Sequence, residues 1–168
     1  SRTTQYIAVA DFNRDGVFDL AAGASQRGEQ PGSVGIFLGD LPGTLRTPNF
    51  VNDYSFTQGY SAVKARSGES VTGDFNGDGY VDIVTGGGAG FGYALFFAAG
   101  NGDGTFAPYQ SALGVLADAS LTALDIDRDG ILDLAWFDGN RFGQAFGLGN
   151  GAFQYLPTIS SQGGGQAG

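Results

Sequence analysis

One nine-residue loop is written three times in this chain. Asp11-Phe12-Asn13-Arg14-Asp15-Gly16-Val17-Phe18-Asp19 returns as Asp74-Phe75-Asn76-Gly77-Asp78-Gly79-Tyr80-Val81-Asp82, and again as Asp125-Ile126-Asp127-Arg128-Asp129-Gly130-Ile131-Leu132-Asp133. Oxygen-bearing side chains fall at positions 1, 3, 5 and 9 of every copy, with Gly at position 6. Repetition at this scale marks an array of similar units that bury their apolar faces against one another.

Alternate residues of a tight loop can all turn inward, so the oxygens at positions 1, 3 and 5 converge. Gly at 6 admits positive φ and hence the sharp turn. Such a set suits a hard cation, because calcium takes six to eight oxygen ligands in irregular geometry. Position 7 would add a backbone carbonyl from Val17, Tyr80 or Ile131, and the Asp at 9 would close the cage. An EF-hand needs a bidentate Glu at position 12. Ala22, Thr85 and Trp136 stand there instead, and strand-like sequence flanks each loop. Asp, Asn and Gly also build ordinary hairpin turns. Against that reading, two carboxylates about 5 Å apart repel by roughly 3 kcal/mol at an effective dielectric of 20, and the third loop holds four Asp residues.

Ten of the 17 carboxylates lie in these loops, so three bound Ca²⁺ would bring the formal charge of −9 to about −3. With eight Lys and Arg scattered along 168 residues, nucleic acid is disfavoured as a partner. Cysteine and histidine are absent, which removes disulfides, Ser-His-Asp and Cys-His catalysis, and most zinc sites. No apolar run is long enough to span a bilayer, so membrane insertion is not expected. Millimolar calcium outside cells favours an extracellular or cell-surface setting.

The rest of the chain reads as all-β, three units of four short strands. In the first unit these are 6–12, 18–24, 33–39 and a segment near 50–56; in the second, 70–75, 81–87, 92–99 and 106–113; in the third, 121–126, 132–137, 141–148 and 153–159. Residues 60–66 could form one turn of helix. Two further columns repeat: Val34-Gly35, Phe91-Gly92 and Phe142-Gly143 opening the third strand, and a turn closing it. The turn runs Gly100–Phe106 in unit two, Gly149–Phe153 in unit three and, more loosely, Gly39–Leu45 in unit one. Asp103 reads as a turn residue rather than a ligand. The extra residues of unit one, around Ser25–Pro31, read as a loop insertion. The units are bounded as 1–57, 58–115 and 116–159, with 160–168 a flexible Gly-rich tail.

The loops, the strand pattern, Phe91-Gly92 and the Gly-Asn-Gly-Asp-Gly-Thr-Phe turn together resemble FG-GAP/VCBS-type repeats, the blades of integrin-α-like β-propellers. The resemblance implies four-stranded antiparallel blades whose first two strands are joined by a loop holding structural calcium, three ions per chain. By position the ligands would be Asp11, Asn13, Asp15, Val17 and Asp19; Asp74, Asn76, Asp78, Tyr80 and Asp82; and Asp125, Asp127, Asp129, Ile131 and Asp133. Propellers have four to eight blades, so three imply a ring completed by self-assembly into a homo-oligomer or by blades outside this chain.

Some fungal lectins resemble this architecture, which points to a binding module for glycans. Trp136, Phe137, Tyr93 and Tyr109 are candidate sugar-facing aromatics, Trp136 first. An extracellular adhesion or protein-interaction scaffold fits the same sequence. Catalysis is not expected: Glu29 and Glu69 are the only Glu residues, and the Asp residues outside the loops show no repeated pairing.

Overall fold

The computed structural model describes residues 7–24, 33–40, 43–46, 49–51, 70–89, 92–114, 120–137 and 140–160. They form three antiparallel sheets, one per unit. The first orders β1 (Ile7–Ala10), β2 (Asp19–Ala24), β3 (Ser33–Phe37) and β6 (Asn49–Val51), with a small hairpin of β4 (Gly39–Asp40) and β5 (Thr44–Leu45) beside it. The second orders β7 (Ser70–Gly73), β8 (Asp82–Ala89), β9 (Gly92–Ala98) and β10 (Gln110–Gly114). The third orders β11 (Ser120–Leu124), β12 (Asp133–Phe137), β13 (Arg141–Gly147) and β14 (Phe153–Tyr155), and β15 (Ile159–Ser160) also pairs with β13.

The first strands form the inner edge, with β7 lying against both β1 and β11. Toward the outside, β10 meets β14. These are propeller blades standing side by side, with the second between the other two. Its middle strands β8 and β9 are buried on both faces, which is why Ile83 and Val84 are apolar in succession rather than alternating. Ile83 packs toward the first blade with Phe12, Ala21 and Ile36. Val84 packs toward the third with Phe75, Leu95, Leu134 and Trp136. Each large side chain so buried contributes about 1.5–3 kcal/mol, and it is buried between blades rather than within one.

Several boundaries move. The first strand of each unit stops at Ala10, Gly73 or Leu124, because the next residues give their backbone groups to the loop. The strand expected from Phe106 begins at Gln110, since Phe106 bridges back to Gly100. The run 153–159 divides into β14 and β15. Ser160 pairs with Arg141, so pairing reaches into the first residue of the expected tail. The possible helical turn at 60–66, the insertion at 25–31 and the unit boundaries at 57/58 and 115/116 lie outside the described residues.

Both repeated columns shift register in one unit. Ala22, Thr85 and Trp136 face Gly35, Phe96 and Gly143 across the sheet. Gly92 instead faces Ala89, at the end of a longer hairpin, so the Gly column holds only in the first and third blades. In the third blade the glycine makes room for its partner: a Cβ on Gly143 would land on the Trp136 indole. The closing turn of the third blade starts at Gly147 rather than Gly149. The Leu148 N–H donates to the Ala152 carbonyl at 3.0 Å, as the Asn101 N–H does to the Thr105 carbonyl at 3.0 Å. The second and third turns are therefore both seven residues long, 100–106 and 147–153, and Gly39 pairs with Leu45 in the first unit as Gly100 does with Phe106 in the second.

Candidate metal centre

The three loops share one hydrogen-bond plan. The position 1 carboxylate turns back over its own loop. Asp11 accepts from Asp15 N–H and Gly16 N–H at 3.1 and 2.9 Å. Asp74 accepts from Asp78 and Gly79 at 3.2 and 2.8 Å, and Asp125 from Asp129 and Gly130 at 3.2 and 3.1 Å. Position 3 caps the position 5 amide, and position 5 caps the amide of position 7 at 2.8 Å in every copy. Gly16, Gly79 and Gly130 all have positive φ, between 82° and 89°.

Position 4 was not singled out in the sequence, yet it too is left-handed: Arg14 at φ 60°, Gly77 at 77° and Arg128 at 66°. The Gly in one copy was the available signal. Arg14 extends across to the second loop, where its guanidinium lies 5.3 Å from the centroid of the Tyr80 ring.

Position 9 does more than close a cage. Asp19, Asp82 and Asp133 are completely buried. One oxygen of each accepts the amide of position 2, from Phe12, Phe75 and Ile126, at 2.8, 2.9 and 2.7 Å. The other accepts the amide that opens the closing turn, from Gly39, Gly100 and Gly147, at 2.7, 2.9 and 2.8 Å. A carboxylate thus ties the loop to the far end of the third strand. Glycine is required there because a Cβ would strike the carbonyl oxygen of position 8, on Phe18, Val81 or Leu132.

Burial pushes the Asp82 carboxyl up to about 6; hydrogen bonds from Gly100 and Phe75 oppose the shift, and Asp78 and Asp74 add to it. Asp127 is also raised, first by loss of water and then by Asp129, Asp133 and Asp125. In both, burial and neighbouring carboxylates disfavour the charged form, and a bound cation would offset that.

In the third loop, ligand atoms of Asp125, Asp127 and Asp133 lie within 4.8 Å of one another. Asp129 is outside that group; its Oδ1 is engaged by the Ile131 amide. In the first two loops position 3 is Asn, and Asn13 and Asn76 donate to Asp15 and Asp78 at 2.8 Å. Every donor is a hard oxygen. Oδ1 of Asp74 and of Asp125 each accepts two amides, but their Oδ2 atoms and both oxygens of each position 9 Asp accept only one and keep a further lone pair, so the set fits an oxygen-seeking divalent ion.

The aromatic candidates separate. Trp136 is 4% exposed, within the core between the second and third blades. Its ring lies 5.9 Å from that of Tyr155 and covers Gly143. Its indole is packed in the core between blades. Tyr109 is half-buried against the core between the first and second blades. Phe137 is 46% exposed. Tyr93 lies in β9 opposite Gly88, and its side chain is outside the described residues. Asp103 is a turn residue as expected, accepting from the Thr105 amide at 2.9 Å and from its hydroxyl, which hold its carboxyl below the usual range. Among the described residues no helix is long and apolar enough to cross a membrane.

The FG-GAP-like repeat model matches residues 74–136, and the FG-GAP repeat model matches residues 7–37. Together they cover more than half of the chain. No curated protein matches it in sequence. Among solved structures, a lectin from Agrocybe aegerita, described for specific recognition of non-reducing terminal N-acetylglucosamine, aligns over 94% of this chain with a TM-score of 0.58 and 22% identity. The alignment takes in 38% of the lectin, so this chain spans well under half of its length. Matching repeats, shared fold and the threefold loop agree: the chain belongs to the FG-GAP repeat family of β-propellers.

Proposed function

We propose that this chain is a calcium-stabilised propeller module that binds carbohydrate, without catalytic activity, outside the cell or at its surface. The observation that carries the calcium part is the threefold loop, with three carboxylates of its last copy within 4.8 Å of one another. One ion per loop would make three per chain. The ion's role is structural, since position 9 links the ligand set to the closing turn of the blade. Carbohydrate binding draws support from the lectin that shares the fold, and repeated blades would make weak sites multivalent.

Burial of Trp136 favours a second reading, a protein-interaction or adhesion scaffold that holds no sugar. Titration calorimetry with calcium, followed by glycan-array binding in calcium and in chelator, tests both. The expected result is calcium uptake at three sites and calcium-dependent capture of glycans, starting with those ending in N-acetylglucosamine. Calcium uptake with no glycan bound would leave the scaffold. No calcium uptake would overturn the metal assignment itself.

A further inference from the structure

The two seams between blades are built alike, and among the described residues the two halves of a third stand unmatched. At the first seam the Gly104 amide of blade two donates to the Phe12 carbonyl of blade one at 3.1 Å. The rings of Phe12 and Phe106 meet edge to face at 5.7 Å. At the second, the Gly151 amide of blade three donates to the Phe75 carbonyl at 3.3 Å, and Phe75 meets Phe153 edge to face at 5.7 Å. Position 8 of the later blade closes each seam, with Val81 in the first core and Leu132 against Gly73.

The same positions are left over at the two ends. Ile126 stands where Phe12 and Phe75 stand, but it is only half-buried, and among the described residues no following turn reaches its carbonyl. At the other end Gly43 and Leu45 occupy the places of Gly104 and Phe106, and Phe18 occupies that of Val81. Leu45 is 49% exposed and Phe18 75%. Val9 and Ile7 of β1 are likewise turned out of the core, as are Leu124 and Phe137 of blade three. Apolar sheet faces of this kind are association surfaces.

One detail identifies the occupant. Both internal seams pair ring with ring, whereas the two end positions have changed together to branched aliphatics, Ile126 and Leu45. A matched change at the two ends of one chain is the pattern of two surfaces that meet each other. We propose that the outer face of blade three (Leu124, Ile126, Phe137) docks onto the outer face of blade one (Val9, Phe18, Leu45) of a second copy, and that two such seams close a ring of six blades. Six lies within the range that propellers adopt. In such a ring the Gly43 amide, now turned to the Asp40 carbonyl, would have the partner's Ile126 carbonyl as its acceptor. The inference concerns assembly and does not depend on the chain's binding carbohydrate.

The chain has no cysteine, so single-cysteine variants test the seam directly. Leu45→Cys and Ile126→Cys are prepared separately, then treated with a mild oxidant alone and as a mixture, in calcium. The expected result is a covalent dimer in the mixture and little in either variant alone. Light scattering on the unmodified chain should give twice the chain mass. Phe137→Asp and Val9→Asp should each halve it, and mixing those two variants should restore a dimer through the one intact seam. An unmodified chain that stays monomeric at high concentration would overturn the proposal. So would cross-linking as strong within one variant as in the mixture, which would mean like face on like face.

Discussion

Replacing Asp133 by Ala separates two roles that the buried carboxylate combines. In the absence of calcium it holds the Ile126 and Gly147 amides at 2.7 and 2.8 Å with no exposure to water. Hydrogen bonds to a charged group contribute about 1.5–3 kcal/mol each, and a stranded buried donor costs about 1–3 kcal/mol. Gly147 is buried and Ile126 half so, which places the expected loss at about 3–5 kcal/mol. For a chain of this size that lowers Tm by on the order of 10 °C. Asp129→Ala removes a single exposed hydrogen bond, to the Ile131 amide, and should cost under about 1 kcal/mol. The assay is thermal and urea denaturation of both variants, first in chelator and then in excess calcium. In chelator only Asp133→Ala should be strongly destabilised. In calcium both should lose one ion's share, roughly 2.7 kcal/mol at 100-fold excess over Kd. If the two variants lose equal stability in chelator, the linking role assigned to position 9 is wrong.

The Asp82 carboxyl lies at about 6 in the folded chain against an ordinary 3.8, so between roughly pH 4 and 6 the folded state holds a proton that the unfolded state has released. Stability in chelator should therefore fall as pH rises through that window and then level off, and Asp82→Asn should flatten the slope; a urea midpoint that rises over the same range would contradict it. Gly147→Ala should destabilise by about 1–3 kcal/mol or more, because its Cβ meets the Leu132 carbonyl oxygen. Gly16→Ala has open space around it but must hold φ at 83°, so its cost should stay near 1–2 kcal/mol. Arg128→Gly relieves a left-handed backbone at φ 66° and should raise stability by about 0.5–1 kcal/mol, while Gly77→Ala should lower it by a similar amount; chemical denaturation reads both.

The loop and the strands on either side of it were legible because their chemistry is local. Oxygens at alternate positions, a Gly at the turn and β-branched flanks each act within a few residues. Register across the sheet was not legible in the same way. Gly143, Gly147, Gly149 and Gly151 stand at alternate or near-alternate places, and spacing alone cannot say which of them opens the turn. The choice is made by Asp133, which reaches the Gly147 amide across the sheet, and by the Leu132 carbonyl, which leaves no room for a side chain there. Gly92 and Gly143 follow a Phe alike in sequence, but the longer hairpin of the second unit sets Gly92 opposite Ala89. Trp136 stands only three residues beyond a surface loop, yet strand alternation from Asp133 puts it beside Leu134 in the core between blades.

Phe12 and Phe75 each give their amide to their own blade and their carbonyl and ring to the next. No blade therefore owns a complete interior. A single repeat cut from this chain would keep its backbone ladder yet lose the far half of every apolar cluster, and it should not fold alone. A one-repeat ancestor could have persisted only by gathering several copies of itself.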